Sequence, residues 1–294
     1  MEPSFIFGQF VGGLTAAMTL FLIASGLSLI FGVLGVLNFA HGSFYMIGAY
    51  LAWQIVQWIG PGGEGFWLAV LGAAVAVAVL GGVVERLLLR HLYRREELYQ
   101  LLFTYALVLV IADMAKLLWG TQQFGVSRPP SLAGSFQLFD TTVPHYNLFL
   151  VLLGPAIALS FWHFLNRTRT GRMIRAAALD REMLGTLGAN VDRLYTGMFM
   201  LGCFLAGLGG ALVTPIKSII PGMDVAIIVE AFIVVVIGGL GSFWGTFFGA
   251  IIYGQVLSFG ILIFPRFSSF AVFALMAAVL ILRPWGLFGR PISR

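Results

Sequence analysis

Charge is what this 294-residue sequence has least of: Asp, Glu, Lys and Arg make up 10% of it, against roughly a quarter in a soluble domain. So few charges cannot cover a water-facing surface. Cysteine is nearly absent as well. The single Cys203 excludes an intrachain disulfide and has nothing beside it to activate a thiolate, so it reads as a small packing residue. The four histidines, His41, His91, His145 and His163, are scattered without ligand spacing, and no metal site is expected. No serine has a positioned base at a recognised spacing, and no glycine-lysine phosphate loop occurs, so no catalytic set is expected. Lysine and arginine are missing altogether before Arg86.

Apolar residues fill the space that charge leaves. They form 60% of the chain and come in blocks, at approximately 8–32, 43–59, 66–84, 98–118, 147–165, 195–214, 226–240, 243–263 and 267–282. A run of about 20 such residues crosses a hydrocarbon core of about 30 Å. Lipid offers the backbone no hydrogen-bond partner, and continuous rather than alternating apolar runs select helices over a barrel. The expected fold is an all-α integral membrane protein, a polytopic helical bundle of eight or nine spans with broken or re-entrant segments, forming one domain over residues 1–294. The first block, Phe10 to Phe31, lacks a basic leader and a small-residue cleavage site and reads as a mature span.

The net charge of +5 does not point to nucleic acid, because the basic residues sit in short loops between apolar blocks. Arg86, Arg90, Arg94 and Arg95 share one loop; Arg167, Arg169, Arg172, Arg175, Arg181 and Arg193 share a second; Arg283, Arg290 and Arg294 share the tail. Those 13 of the 17 basic residues mark one face as cytoplasmic, with Lys116, Arg128, Lys217 and Arg266 on or near the other. The C-terminus is expected in the cytoplasm. Nine full crossings put the N-terminus outside, and one re-entrant segment would change that parity.

Two loops exceed what a simple connection needs. Residues 119–146 hold Gly120, Pro129, Pro130, Gly134 and Pro144 and face the exterior, either as a docking surface or as an ordinary connection. Residues 166–194 lie on the other side. There, 172–188 reads as one amphipathic helix closed by Gly188, with Ile174, Ala177, Ala178, Met183, Leu184 and Leu187 as its apolar stripe. Arg175, Asp180, Arg181 and Glu182 stay polar. Such a helix either plugs into a partner's groove or lies on the membrane surface.

Polar side chains at Asn38, His41, Ser43 and Tyr45 interrupt two apolar runs and are flanked by Gly35 and Gly42. Intramembrane polar groups usually face a bundle interior or a cavity. The backbone here either unwinds to offer amide groups to a zwitterionic or amide-bearing solute, or makes a cytoplasmic hairpin whose polar groups cap helix ends. Gly241, Gly245 and Gly249 recur every fourth residue, as do Gly202, Ala206 and Gly210, and both stripes are read as close helix packing. A break over Gly238–Ser242, including Gly239, is a second candidate turn near the pathway. Asp113 and Glu230 read as the acids set deepest in apolar sequence, Asp113 paired with Lys116 three residues on.

The run Gly32-Val-Leu-Gly-Val-Leu-Asn38-Phe-Ala-His41-Gly42-Ser-Phe-Tyr-Met-Ile-Gly48-Ala-Tyr50 resembles the signature of the branched-chain amino-acid permeases of bacterial ABC importers. So do Val236 to Ala250 and the closing Arg283-Pro-Trp-Gly-Leu-Phe-Gly289, while Thr170 to Ala176, Asp180 to Met183 and Leu187 to Arg193 resemble that family's cytoplasmic coupling loop. The resemblance runs in order from about residue 8 to 289. It implies an inner-membrane, multi-pass transport subunit that is not an enzyme and that has no cofactor of its own. It works with a second, usually paralogous permease, two cytoplasmic ATPases that bind the ATP, and a periplasmic solute-binding protein. It implies a shorter permease without an extra domain. It implies a coupling role for the 172–188 segment, with Arg172, Arg175, Ala176, Asp180, Arg181, Glu182 and Gly188 in it. Gly185, where relatives often carry a helix former, departs from the pattern and leaves the helix length open. It implies branched-chain amino acids as cargo, with urea, short amides or aromatic acids as alternatives within the family. From another class, the alternative is a self-sufficient ion-coupled carrier; a membrane enzyme is disfavoured by the missing catalytic set.

Overall fold

The structure is a computed structural model that describes residues 3–60, 63–93, 95–138, 141–263 and 265–289. Arg94, Arg290 and Arg294 of the expected basic clusters therefore lie outside the described residues. Each apolar block becomes a helix: α1 (Pro3–Leu34), α2 (His41–Ile59), α3 (Gly63–Leu87), α4 (Glu97–Trp119), α5 (His145–Arg167), α8 (Val191–Val213), α9 (Met223–Gly238), α10 (Phe243–Ile263) and α11 (Ser268–Leu282). The loop at 166–194 adds α6 (Arg169–Leu179) and α7 (Arg181–Thr186).

Among the described residues, 6 helices are long and apolar enough to cross a membrane: α1, α3, α4, α5, α8 and α10. The expected eight or nine spans exceed that number because α2, α9 and α11 fall short of it. α9 has 16 residues and α11 has 15, or about 24 and 22 Å at 1.5 Å per residue. The chain is also not purely helical. β1 (Ser135–Leu138) pairs antiparallel with β2 (Thr141–Pro144) in the 119–146 loop, where Thr141, Thr142 and Val143 favour extended backbone.

Glycine sets the helix spacing. A Cβ on Gly210 would fall on the Tyr45 carbonyl, and one on Gly48 would lie 2.5 Å from the Gly207 carbonyl, so α2 and α8 cross backbone to backbone. Gly202 lies against Ile30 of α1 on the same side of α8, and Ala206 is fully buried between them. α3 closes on α8 in the same manner, Gly81 facing Cys203 and Gly82 facing Met200. The later stripe is only partly a stripe. Gly245 and Gly249 pack against Gly238 and Val234 of α9, but Gly241 sits in the turn before α10, at φ +77°, against Gly32 of α1. Ser242 is the reason: its Oγ accepts from the Gly245 amide at 3.1 Å, so the helix starts after it.

The ends of the bundle sort by charge. Arg86, Arg90, Arg95, Arg167 to Arg193 and Arg283 flank the ends of α3, α5 and α11 and the starts of α4 and α8, whereas Lys116, Arg128, Lys217 and Arg266 lie at the opposite end. Thr141 of β2 donates to the Ser4 carbonyl at 2.5 Å, tying the start of α1 to the end away from the arginines. The tail is at the arginine-rich end, where the Leu287 and Phe288 amides donate to the Ile237 and Gly238 carbonyls at 2.9 and 3.0 Å.

Candidate functional site: a break inside the bundle and a helix pair at its foot

α1 ends at Leu34 and α2 begins only at His41. His41 Nε2 donates to the carbonyl of Ile23 at 3.1 Å. Ile23 lies eleven residues before the end of α1, about 16 Å back along the helix. Residues 35–40 thus return into the bundle as non-helical chain, on the way placing the Leu37 carbonyl 3.4 Å from the Thr104 hydroxyl of α4. Of the two readings of this segment, the unwound backbone is the one observed, and a surface hairpin is not.

α9 likewise starts inside. The chain before it passes Phe124, whose amide and carbonyl exchange hydrogen bonds with Ile219 at 3.0 and 2.8 Å, and α9 opens after Gly222 in the left-handed region. Its first turn meets the first turn of α2: Ser43 donates to Asp224 Oδ2 at 2.9 Å, and Gly42 is pressed on the Asp224 carbonyl. Neither helix start has a side-chain cap. Two helix N-termini, each worth about half a positive charge, therefore face one carboxylate, which is the favourable arrangement.

Asn38, His41 and Ser43 are fully buried, Tyr45 is 2% exposed and Asp224 1%. Both amide atoms of Asn38, Nδ1 of His41 and Oδ1 of Asp224 have no hydrogen-bond partner among the described residues. Buried polar groups are rarely left so.

Gly239, Gly241 and Ser242 are not part of that cluster. Gly241 touches Gly32, nine residues below Ile23 on α1 or about 14 Å away. Gly239 packs against Trp285 and Gly289. With Arg172, Arg175, Leu179 and Phe288, Gly241 and Ser242 line an open cleft at the arginine-rich end. A smaller cavity of about 110 Å³ lies beside it, between Ser28, Gly32, Phe161, Ile174, Arg175 and Gly241. The expected pathway residues thus form two groups, one inside the bundle and one at its foot.

The single helix expected over 172–188 is two. Thr168 caps α6 by accepting from the Gly171 amide at 3.0 Å. Asp180 then leaves the helical region and caps α7, its Oδ1 accepting from Glu182 and Met183 amides at 3.0 and 2.9 Å. Gly188, at φ +83°, closes the segment. The apolar stripe divides accordingly: Ile174, Ala177 and Leu184 are buried against this chain's own α5 and α8, while Ala178, Met183 and Leu187 are exposed, as is Leu179, which lies outside the expected stripe. Arg175 donates to Asn166 at 2.7 Å, and Ala176, Arg181 and Glu182 lie along the clefts on either side of the pair.

The deepest acids are not the expected ones. Asp113 is exposed and paired with Lys116 at 3.0 Å, and Glu230 is half-buried. Among the described residues, Glu85 and Asp224 are the buried acids. Asp224 follows Pro221-Gly222 and reads as loop, and Glu85 precedes Arg86 and reads as the edge of a basic loop. The one available signal was that each lies within a few residues of an apolar block.

Helices interrupted inside the bundle, polar groups gathered at the interruption and a charged helix pair at one end define a polytopic transport protein of the membrane. The family model for the permease component of branched-chain amino acid transport systems matches residues 9–280, and the chain belongs to that family. It is similar to the high-affinity branched-chain amino acid transport system permease protein BraD of Pseudomonas aeruginosa, at 28% identity over 96% of this chain and 95% of that protein. It is also similar to the corresponding permease protein LivH of Escherichia coli, at 29% identity over 96% of this chain and 95% of that protein. The permease protein LivM of Escherichia coli matches at 26% identity, over 95% of this chain and 69% of that protein. No solved structure gives a significant match. The chain is a transport component, not an enzyme.

Proposed function

We propose that the chain is one of two permease subunits of an ATP-driven importer that moves branched-chain amino acids into the cytoplasm across a bacterial inner membrane. The carrying observation is the family match over nearly the whole chain. That LivH and LivM of one organism both match supports pairing with a paralogous permease. The arginine-rich end faces the cytoplasm by the positive-inside rule, with nine passes placing the N-terminus outside. A solute-binding protein docks at the end formed by the 119–146 loop. The first turns of α2 and α9, with Asn38, His41, Ser43 and Asp224, offer hydrogen-bonding partners to a passing zwitterion.

Two ATPases dock on α6 and α7. Leu179, Met183 and Leu187 support this reading, since three exposed apolar side chains beside Arg181 and Glu182 are what a partner groove takes. Met183→Glu with Leu187→Glu is expected to change the permease's own stability by no more than ~0.5 kcal/mol, because neither side chain is buried. The same variant is expected to lose at least nine-tenths of the ATPase that co-purifies from membranes. Undiminished recovery of the ATPase would remove the docking surface from α7.

The whole reading is tested by reconstituting the permease pair with its ATPases and binding protein in liposomes and following labelled leucine. Uptake that needs ATP inside the cytoplasm-equivalent side is expected. Uptake by the lone chain on an ion gradient would replace the importer with a secondary carrier.

A further inference from the structure

The base of the bundle holds a buried carboxylate that neither the candidate pathway nor the docking surface uses. Glu85, at the end of α3, is fully buried. Its two oxygens are taken by hydroxyls from two different elements: Tyr93 donates to Oε1 at 2.9 Å, and Thr196 of α8 donates to Oε2 at 2.7 Å. Burial and the neighbouring Glu85 carboxylate both push the Tyr93 phenol well above its ordinary pKa, so it stays a donor at any physiological pH. Tyr93 meets Tyr195 edge to face, with centroids 5.8 Å apart. Tyr195 packs in turn with Ala177 of α6 and Leu184 of α7. An Arg90–Asp192 ion pair brackets the same junction.

A buried carboxylate is a poor choice for stability alone, since an apolar side chain of similar volume often serves as well. What it supplies is direction: two oxygens fix two donors in one geometry. Here the donors join α3, the 88–96 connection and α8. Above that point α3 and α8 are locked by Gly81 on Cys203 and by Val77 on Gly207. Gly207 and Gly210 of α8 then press on Gly48 and Tyr45 of α2, the helix that begins at the polar break.

We propose that Glu85 is a positioning residue for energy coupling: through Tyr93 and Thr196 it makes α3 and α8 one rigid lever, whose foot is moved by α6 and α7 and whose upper part moves α2. This rests on the reading that ATPases dock on α6 and α7. Without the Glu85 links, a push on Tyr195 is absorbed at the foot and does not reach the break.

The test uses the assembled transporter in liposomes with Glu85→Gln, Tyr93→Phe and Thr196→Val, measuring ATP hydrolysed and leucine taken up in the same samples. Each variant is expected to keep ATPase co-purification and to hydrolyse ATP within about twofold of the parent, while ATP consumed per leucine rises at least tenfold in Glu85→Gln. Tyr93→Phe removes a single hydroxyl and keeps the ring, so it stands as the test if Glu85→Gln does not accumulate; a rise of at least threefold is expected there. An unchanged ratio, or hydrolysis and uptake that fall together with the complex's melting temperature, overturns the lever and leaves Glu85 as a structural group. Failure of the docking reading is distinguishable, because it shows as loss of the ATPase from the unmodified complex or as its retention by the Met183→Glu, Leu187→Glu variant.

Discussion

Asp224→Ala is expected to cost about 3 kcal/mol of stability and to stop uptake. The estimate adds a hydrogen bond to a charged group, about 1.5–3 kcal/mol, to the loss of a counter-charge at two helix N-termini, about 0.3–1 kcal/mol each. Ser43, which donates to Asp224 at 2.9 Å inside the bundle, would be left with no acceptor in place of it. Thermal unfolding in detergent measures the first effect and leucine uptake the second. The partner variant sharpens the argument. Ser43→Ala strands the carboxylate, so it too is destabilising, and the double variant Ser43→Ala, Asp224→Ala is expected to recover part of the loss. Asp224→Asn keeps the shape and the acceptor but not the charge. If Asp224→Asn matches the parent in both assays, the hydrogen bond matters and the compensation of the helix termini does not. Simple additivity in the double variant would mean that Ser43 and Asp224 do not act as a pair.

Gly48→Val and Gly210→Val are expected to remove folded protein from the membrane. At Gly48 the first atom of any side chain meets the Gly207 backbone, and at Gly210 it meets the Tyr45 carbonyl. A flexible side chain could move aside; two helix backbones in contact cannot, so α2 and α8 must separate along their crossing. Overpacking costs 1–3 kcal/mol where neighbours give, and about 3 kcal/mol or more is expected where they do not. Gly197 supplies the control on the same helix, because a Cβ there meets nothing within 4 Å. Gly197→Ala is expected to be neutral or to stabilise by about 0.5–1 kcal/mol through helix propensity. Equal membrane yields of all three variants, read by fluorescence-detected size exclusion, would show that glycine at the crossing is dispensable.

These two sites differ in how they were read from the sequence. The glycine at 210 was visible in a small-residue stripe, because a period of four residues on an apolar helix has one physical reading. Gly241 shows its limit: the same period runs through a capped turn, and only the Ser242 cap decides that the helix begins two residues later, at Phe243. The amphipathic segment over 172–188 was legible as polar and apolar faces, but not the interruption at Asp180. An aspartate that caps and an aspartate on a solvated face look alike until the backbone is seen to leave the helical region. For the same reason Leu184 and Leu187 entered one stripe, although one is buried and the other is exposed.

The sequence by itself determined the solvent and the places of the long apolar helices. Apolar runs of fixed length, scarce charge and clustered arginine are local properties that follow from the bilayer alone. The polar run at Asn38–His41 was also local, but it allowed both an unwound segment and a capped hairpin, and the His41–Ile23 contact chooses between them. Where the break lies, and what it faces, the tertiary structure decided. The Ser43–Asp224 contact joins residues 181 positions apart, and Thr196 reaches Glu85 across 111. An acid at the edge of an apolar block has no distinguishing pattern. It becomes a buried group only when another helix, far off in the chain, brings the hydroxyl that satisfies it.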